Sequence, residues 1–184
     1  MVSVAQEQTN KMGASNEKRQ SILQIIKMYL YIPLCVLTAY VLCAYIFKMG
    51  IVTSESMDPT VPVGQYVICS RLDRSFERGD IICFRADGDD IFKRLIGLPG
   101  ETVSFLEGKV YIDGTLLDES AYLDAALMTD ASVTSYTVPE GSFFVMGDNR
   151  GASIDSRNWE NPYIHKKDIV GVLLFDFPLP FLNS

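Results

Sequence analysis

The chain has 184 residues, 48% hydrophobic and 21% charged, which fits one folded domain with an appendage rather than a disordered chain. Its net charge of −7 argues against nucleic acid as a partner, because a phosphate backbone requires a basic surface. The charge is uneven: residues 1–27 carry Lys11, Lys18, Arg19 and Lys27 against Glu7 and Glu17, a net +2, which leaves −9 for the rest.

Residues 1–20 are polar, lack clear periodicity and are expected to be mobile. Met28 to Phe47 then runs 20 residues without a charge, long enough to cross a hydrocarbon core as a helix. Tyrosines lie near both ends of the run, where aromatic rings favour the interface, and Pro33 near its start is expected to kink the helix. A soluble core helix rarely goes so long without a charge, and a cleaved signal needs a small-x-small site that Leu42–Phe47 does not supply. A retained membrane anchor follows. Four Lys/Arg precede it and only Lys48 follows closely, so the N-terminus is expected in the cytoplasm and residues 48–184 outside. The expected organisation is a cytoplasmic tail 1–27, a transmembrane helix 28–47 and an extracytoplasmic domain 48–184.

Beyond the anchor comes Ser54-Glu55-Ser56-Met57-Asp58-Pro59-Thr60. An extended backbone would point Ser54 and Ser56 to one side, and Pro59 keeps Asp58 out of the helical region. Such clusters are usually turns. Strands are expected at Gln65–Ser70, Asp80–Arg85, Ile91–Ile96, Thr102–Leu106, Lys109–Ile112, Phe143–Met146 and Ile169–Phe177. Glu107-Gly108 and Asp113-Gly114 are hairpin turns, and Ser120–Leu127 and Ser156–Asn161 short helical turns. The fold class is therefore mainly β: a folded or barrel-like antiparallel sheet behind one N-terminal transmembrane helix.

Cys35 and Cys43 lie in the apolar run; Cys69 and Cys83 lie in strands and are either a disulfide or two buried thiols. No Cys/His spacing suggests zinc, and His165 is the only histidine, so neither metal nor cofactor is expected. On the strand Ile91–Ile96, Lys93 shares a face with Ile91 and Leu95; if that face is covered, desolvation lowers the lysine pKa and makes a neutral amine available as a base. A snorkelling or edge lysine is the commoner use of such a pattern. Gly147–Arg157 follows an apolar strand, is dense in hydrogen-bonding groups and reads as a loop able to buttress a site.

Four stretches occur in order: Ser56-Met57-x-Pro59-Thr60; Gly79-Asp80-Ile81-Ile82-x-Phe84; Lys93-Arg94-x-x-Gly97-x-Pro99-Gly100; and Gly147-Asp148-Asn149-Arg150 with Ser153-x-Asp155-Ser156-Arg157. Together with the preceding anchor, this set resembles the type I signal peptidases, membrane-bound Ser–Lys proteases of bacteria, in their compact Gram-positive form. The resemblance spans residue 25 to about 175. It implies Ser56 as nucleophile, Lys93 as general base, Ser54 as an oxyanion donor beside the Ser56 amide, and Ser153 as the residue orienting the lysine amine. It also implies ion pairs Asp155 with Arg157 and Asp148 with Arg94 holding the loop against the catalytic strand. Gly151-Ala152 stands where relatives often have Asp-Asn, and Thr53 where they often have Pro.

The implied substrate is a secretory preprotein, cut after a small-x-small motif on the outer face of the cytoplasmic membrane. Its tail would add to a sheet edge beside Asp90–Phe92, with Val52, Met57, Ile91 and Phe92 as pocket walls. The apolar stretch Phe175–Leu182 either enters the interface or frays. Two other readings compete: a LexA-like Ser–Lys protease, which lacks an anchor, and a non-catalytic anchored β-module, which would lack a nucleophile or base.

Overall fold

In the computed structural model, residues 2–72, 75–86, 88–123 and 135–178 are described, with side chains from residue 18 onward. The chain divides into two compact units, Met1–Tyr45 and Ile46–Ser184.

The first unit is helical. The helix α1, Val2–Ile46, starts well before the polar stretch was expected to give way, and it continues through Pro33. Its stretch Lys18–Ile46 has a mean hydropathy of 1.9 over its apolar window and none of that window is buried within the protein. It is long and apolar enough to cross a membrane, where the exposed isoleucines, leucines and tyrosines would meet lipid rather than water. Phe47, expected as the last residue of the span, instead opens the first strand.

The second unit is built of strands: β1 (Phe47–Ile51), β2 (Tyr66–Ser70), β3 (Ile81–Ala86), β4 (Asp89–Gly97), β5 (Thr102–Leu106), β6 (Lys109–Ile112), β7 (Thr115–Leu116), β8 (Ser135–Thr137), β9 (Ser142–Met146), β10 (Ile164–His165) and β11 (Ile169–Phe177). They form two sheets, ordered β1-β2-β11-β3-β4-β9-β10 and β7-β6-β5-β8, and every recorded pairing is antiparallel. The seven-stranded sheet curls, for Lys48 on β1 reaches Asp90 on β4 at 2.6 Å, although three strands lie between them in the sheet order. Glu107-Gly108 and Asp113-Gly114 turn the chain with positive φ at both residues, 51° and 74°, then 49° and 80°. That is the type I′ geometry that matches strand twist.

Among the described residues, three apolar clusters hold the unit. Ile82, Phe84, Leu95, Phe143, Val145, Ile169 and Val172 fill one, and Ile96, Val103, Val110, Val138, Phe144 and Met146 join the two sheets in another. Val52, Met57, Val61 and Val67 form the third, with Phe92 packed against it. Cys69 and Cys83 are both buried free thiols. Strand β11 lies between their strands, yet the two thiols meet as hydrogen-bonding neighbours beside Gly171. Of the expected helical turns, 124–127 lies outside the described residues; Glu119 and Asp155 each accept one turn of backbone hydrogen bonds, from Tyr122 and Leu123 and from Asn158 and Trp159. Residues 179–182 of the apolar tail also lie outside.

Candidate active site

Strand β4 supplies the centre of the site. It pairs with β3 from Asp89 to Arg94, and β9 joins its other side only from Arg94 to Gly97. Beyond that point, Asp89–Lys93 border a cleft of about 670 Å³. Residues 50–57 line it from the other side, and Ala152 and Ile154 from the loop. All five residues expected in a substrate pocket, Val52, Met57, Asp90, Ile91 and Phe92, line this cleft, as do Ser54, Ser56 and Lys93.

Lys93 stands opposite Ile82 on β3, whose side chain belongs to the first apolar cluster, and Ile91 and Leu95 pack into the same cluster. Period-two alternation thus puts an amine on an apolar face. The residue is 3% exposed. Burial, the largest influence, disfavours the ammonium; Asp155 and Asp148 act in its favour and Arg157 against it, and the result is a pKa lowered from 10.5 to about 8.

Ser54 is extended and Glu55–Met57 form a single 3-10 turn, in keeping with a Ser, Asp and Pro cluster. The turn brings the two hydroxyls together, with Ser54 Oγ and Ser56 Oγ 3.2 Å apart. Ser56 is 8% exposed and Met57 is buried beneath it. Asp58 leaves the turn at φ −66° and ψ 140°, the region a following proline demands.

The loop 147–157 holds the turn in place. Asn149 donates its backbone N–H to the Ser56 carbonyl at 3.1 Å and its side-chain amide to the Glu55 carbonyl at 3.2 Å. Gly147 is obligatory here for space: a Cβ on it would lie 2.4 Å from the Ser56 carbonyl oxygen and 2.2 Å from Ser153 Oγ. Its amide donates to Asp155 Oδ2 at 2.9 Å, and Ser153 Oγ donates to the same oxygen at 2.7 Å. Ser153 is thereby fixed beside Gly147; no hydrogen bond from it to the Lys93 amine is present among the described residues. Asp155 also receives Arg157 Nε at 2.8 Å and Nη2 at 2.8 Å. Burial opposes ionisation of Asp155, but the Arg157 guanidinium with the Gly147 and Ser153 donors outweighs it and holds the carboxyl below its ordinary value. This pair lies within the loop. The link to β4 is the other pair, in which Arg94 grips Asp148 with two bonds of 2.8 and 2.6 Å and also donates to the Gly79 carbonyl at 2.6 Å. Asp148 is fully buried, so this is a bidentate pair away from solvent.

Two participants, Glu119 and Tyr122, escaped sequence reasoning, and Asn149 stood in a quoted motif without a role. Asn149 carries the bond to Ser56, while Glu119 and Tyr122 contact Arg150 and Arg94 from a segment with no motif. Only the density of polar groups in Gly147–Arg157 hinted at such a network; the partners 31 residues apart give no local signal.

The arrangement can do nucleophilic acyl chemistry. It provides a hydroxyl, a desolvated amine in the same cleft, a second hydroxyl beside the first, and an open strand edge able to bind an extended peptide.

Residues 23–177 match the family model described as signal peptidase, peptidase S26. The chain is 35% identical over 179 residues to a signal peptidase I of Bacillus licheniformis, covering 91% of this chain and 94% of the relative. It is also 35% identical over 173 residues to the signal peptidase I S of Bacillus subtilis (strain 168), covering 87% of this chain and 91% of the relative. A crystal structure of a signal peptidase I from Enterococcus faecalis V583 aligns at 37% identity and a TM-score of 0.47, covering 54% of this chain and 97% of that one.

Proposed function

This chain belongs to the signal peptidase family, peptidase S26, and on that premise we propose that Ser56 and Lys93 are the nucleophile and general base with which it removes signal peptides from preproteins. The observation that carries the assignment is a lysine 3% exposed, its amine brought to a pKa of about 8, lining one cleft with a serine hydroxyl.

The neutral Lys93 amine takes the Ser56 proton as Oγ attacks the scissile carbonyl. The developing oxyanion is met by the Ser56 amide and the Ser54 hydroxyl. The ammonium then returns a proton to the departing amine, leaving an acyl-serine. Water, activated by the same amine, hydrolyses that ester and restores Ser56. Asp148 with Arg94, and Asp155 with Arg157, support the loop that touches Ser56. Ser153 belongs to this support through Asp155 and lies close enough to Gly147 to limit how the site relaxes.

The signal-peptide tail would pair with the free edge at Asp89–Lys93, with Val52, Met57, Ile91 and Phe92 shaping shallow pockets for small side chains. Small-x-small selectivity fits a cleft whose walls are already filled by these larger apolar residues. The helix would anchor the chain in the bacterial cytoplasmic membrane, tail 1–27 inside and the domain from residue 48 outside, as the basic flank favours.

Cleavage of a purified preprotein by the full chain in detergent tests the assignment. The wild type should cut after a small-x-small site, with Ser56→Ala and Lys93→Ala each silent. Equal cutting by all three would contradict it.

A further inference from the structure

We propose that Glu119 and Tyr122 are positioning residues for the reaction: segment 118–123 is a strap that fixes the loop 147–157 against the nucleophile turn. The strap grips the loop and the catalytic strand at once. Arg150, whose side chain is fully buried, donates Nη1 and Nη2 to the two Glu119 carboxylate oxygens at 3.1 and 2.5 Å. Its Nε donates to the Gly147 carbonyl at 3.1 Å, at the glycine that packs on Ser56 and Ser153. Tyr122 lies under the Arg94 guanidinium, 4.0 Å from ring centroid to Cζ, while that guanidinium holds Asp148. The Tyr122 hydroxyl donates to Glu119 Oε1 at 3.0 Å, so the two grips are one unit. Burial and the neighbouring Glu119 raise the Tyr122 phenol above its ordinary value, which keeps that hydroxyl a donor.

The two arginines that the strap engages flank the loop's contact with Ser56 through Gly147 and Asn149. A planar bidentate pair fixes direction as well as distance, and a displacement of about 1 Å at a reacting group costs on the order of 10²-fold in rate. Neither Glu119 nor Tyr122 lines the cleft, so the strap acts on turnover and not on substrate affinity.

The inference rests on the Ser56–Lys93 assignment, and the experiment separates the two. Steady-state cleavage of a preprotein by the full chain is measured for wild type, Ser56→Ala, Glu119→Ala, Glu119→Gln, Tyr122→Leu and the double variant Glu119→Ala with Arg150→Met, each with a melting curve. If Ser56→Ala cuts like wild type, the assignment itself fails. If it is silent, Glu119→Ala should lower kcat by about 10- to 100-fold with KM within about twofold, and Tyr122→Leu by about tenfold. The double variant removes the buried cation along with its partner, so it should regain melting temperature without regaining kcat. Glu119→Gln is nearly isosteric and covers the case in which Glu119→Ala does not fold; it should melt near wild type and lose kcat about tenfold. Unchanged kcat in a folded Glu119 variant, or kcat restored together with stability in the double variant, would overturn the proposal.

Discussion

A lysine amine at its ordinary pKa is almost wholly protonated at neutral pH and cannot take a proton from serine. What changes Lys93 is its place opposite Ile82 on an apolar sheet face. That lowering has a cost that can be measured. Between about 8 and 10.5 the unfolded chain holds a proton that the folded chain does not, so wild-type stability rises with pH across that window. Below it the whole penalty is present. Lys93→Met should therefore melt above wild type at neutral pH, by about 1.4 kcal/mol for each unit of depression, with the gap closing as pH approaches 10.5. Equal melting curves across that range would show an amine that is not desolvated. Ser54 answers a different question. Its hydroxyl lies 3.2 Å from that of Ser56; in the proposed role of oxyanion donor its removal costs about 10²–10³ in kcat, so Ser54→Ala should fall by that factor in single-turnover assays and bind substrate as before. Ser56 and Lys93 are proposed from the ordered set of motifs that carries the family resemblance; by itself each local pattern, alternating serines before a proline and a lysine at period two between aliphatic residues, reads more often as a turn and an edge lysine. The turn was legible from its Ser, Asp and Pro residues, but its 3-10 winding over Glu55–Met57 was not, since long-range bonds from Asn149 stabilise it.

At the scale of elements, strands with several apolar residues at alternate positions were legible to within two residues at each end, from β2 through β6 and at β9 and β11. The strands missed were β1, β7, β8 and β10. Three of these have only two or three residues, too short for a periodicity, and β1 begins where the apolar run of the helix ends. Its alternation of exposed and half-buried residues is masked by Phe47, Met49 and Ile51 being apolar on the exposed side. Between elements, the Arg94–Asp148 pair ties β4 to the loop after β9, and both side chains are buried. Such a pair contributes little net when whole but leaves an uncompensated cation when broken. Asp148→Ala should lower stability by about 3–5 kcal/mol in chemical unfolding, more than Asp148→Asn, which keeps hydrogen-bonding atoms on Arg94. Equal, small losses in both variants would mean that solvent reaches Arg94.

Across the whole molecule, the two units divide the work that composition already separates. The helix carries the lipid-compatible surface, and the acidic domain carries a curled sheet whose partly unpaired strand β4 opens beside the cleft. On the proposed assignment, acyl transfer depends on one proton moving between Ser56 and Lys93, and the pH at which the enzyme turns on reports which group accepts it. The measurement that tests this most directly is the pH dependence of kcat for preprotein cleavage by the full chain in detergent, with a chelator present. The account predicts activity rising through a single limb at about pH 8, undiminished by the chelator, as Lys93 loses its proton. Activity that does not rise through that limb, or activity abolished by the chelator, would contradict it.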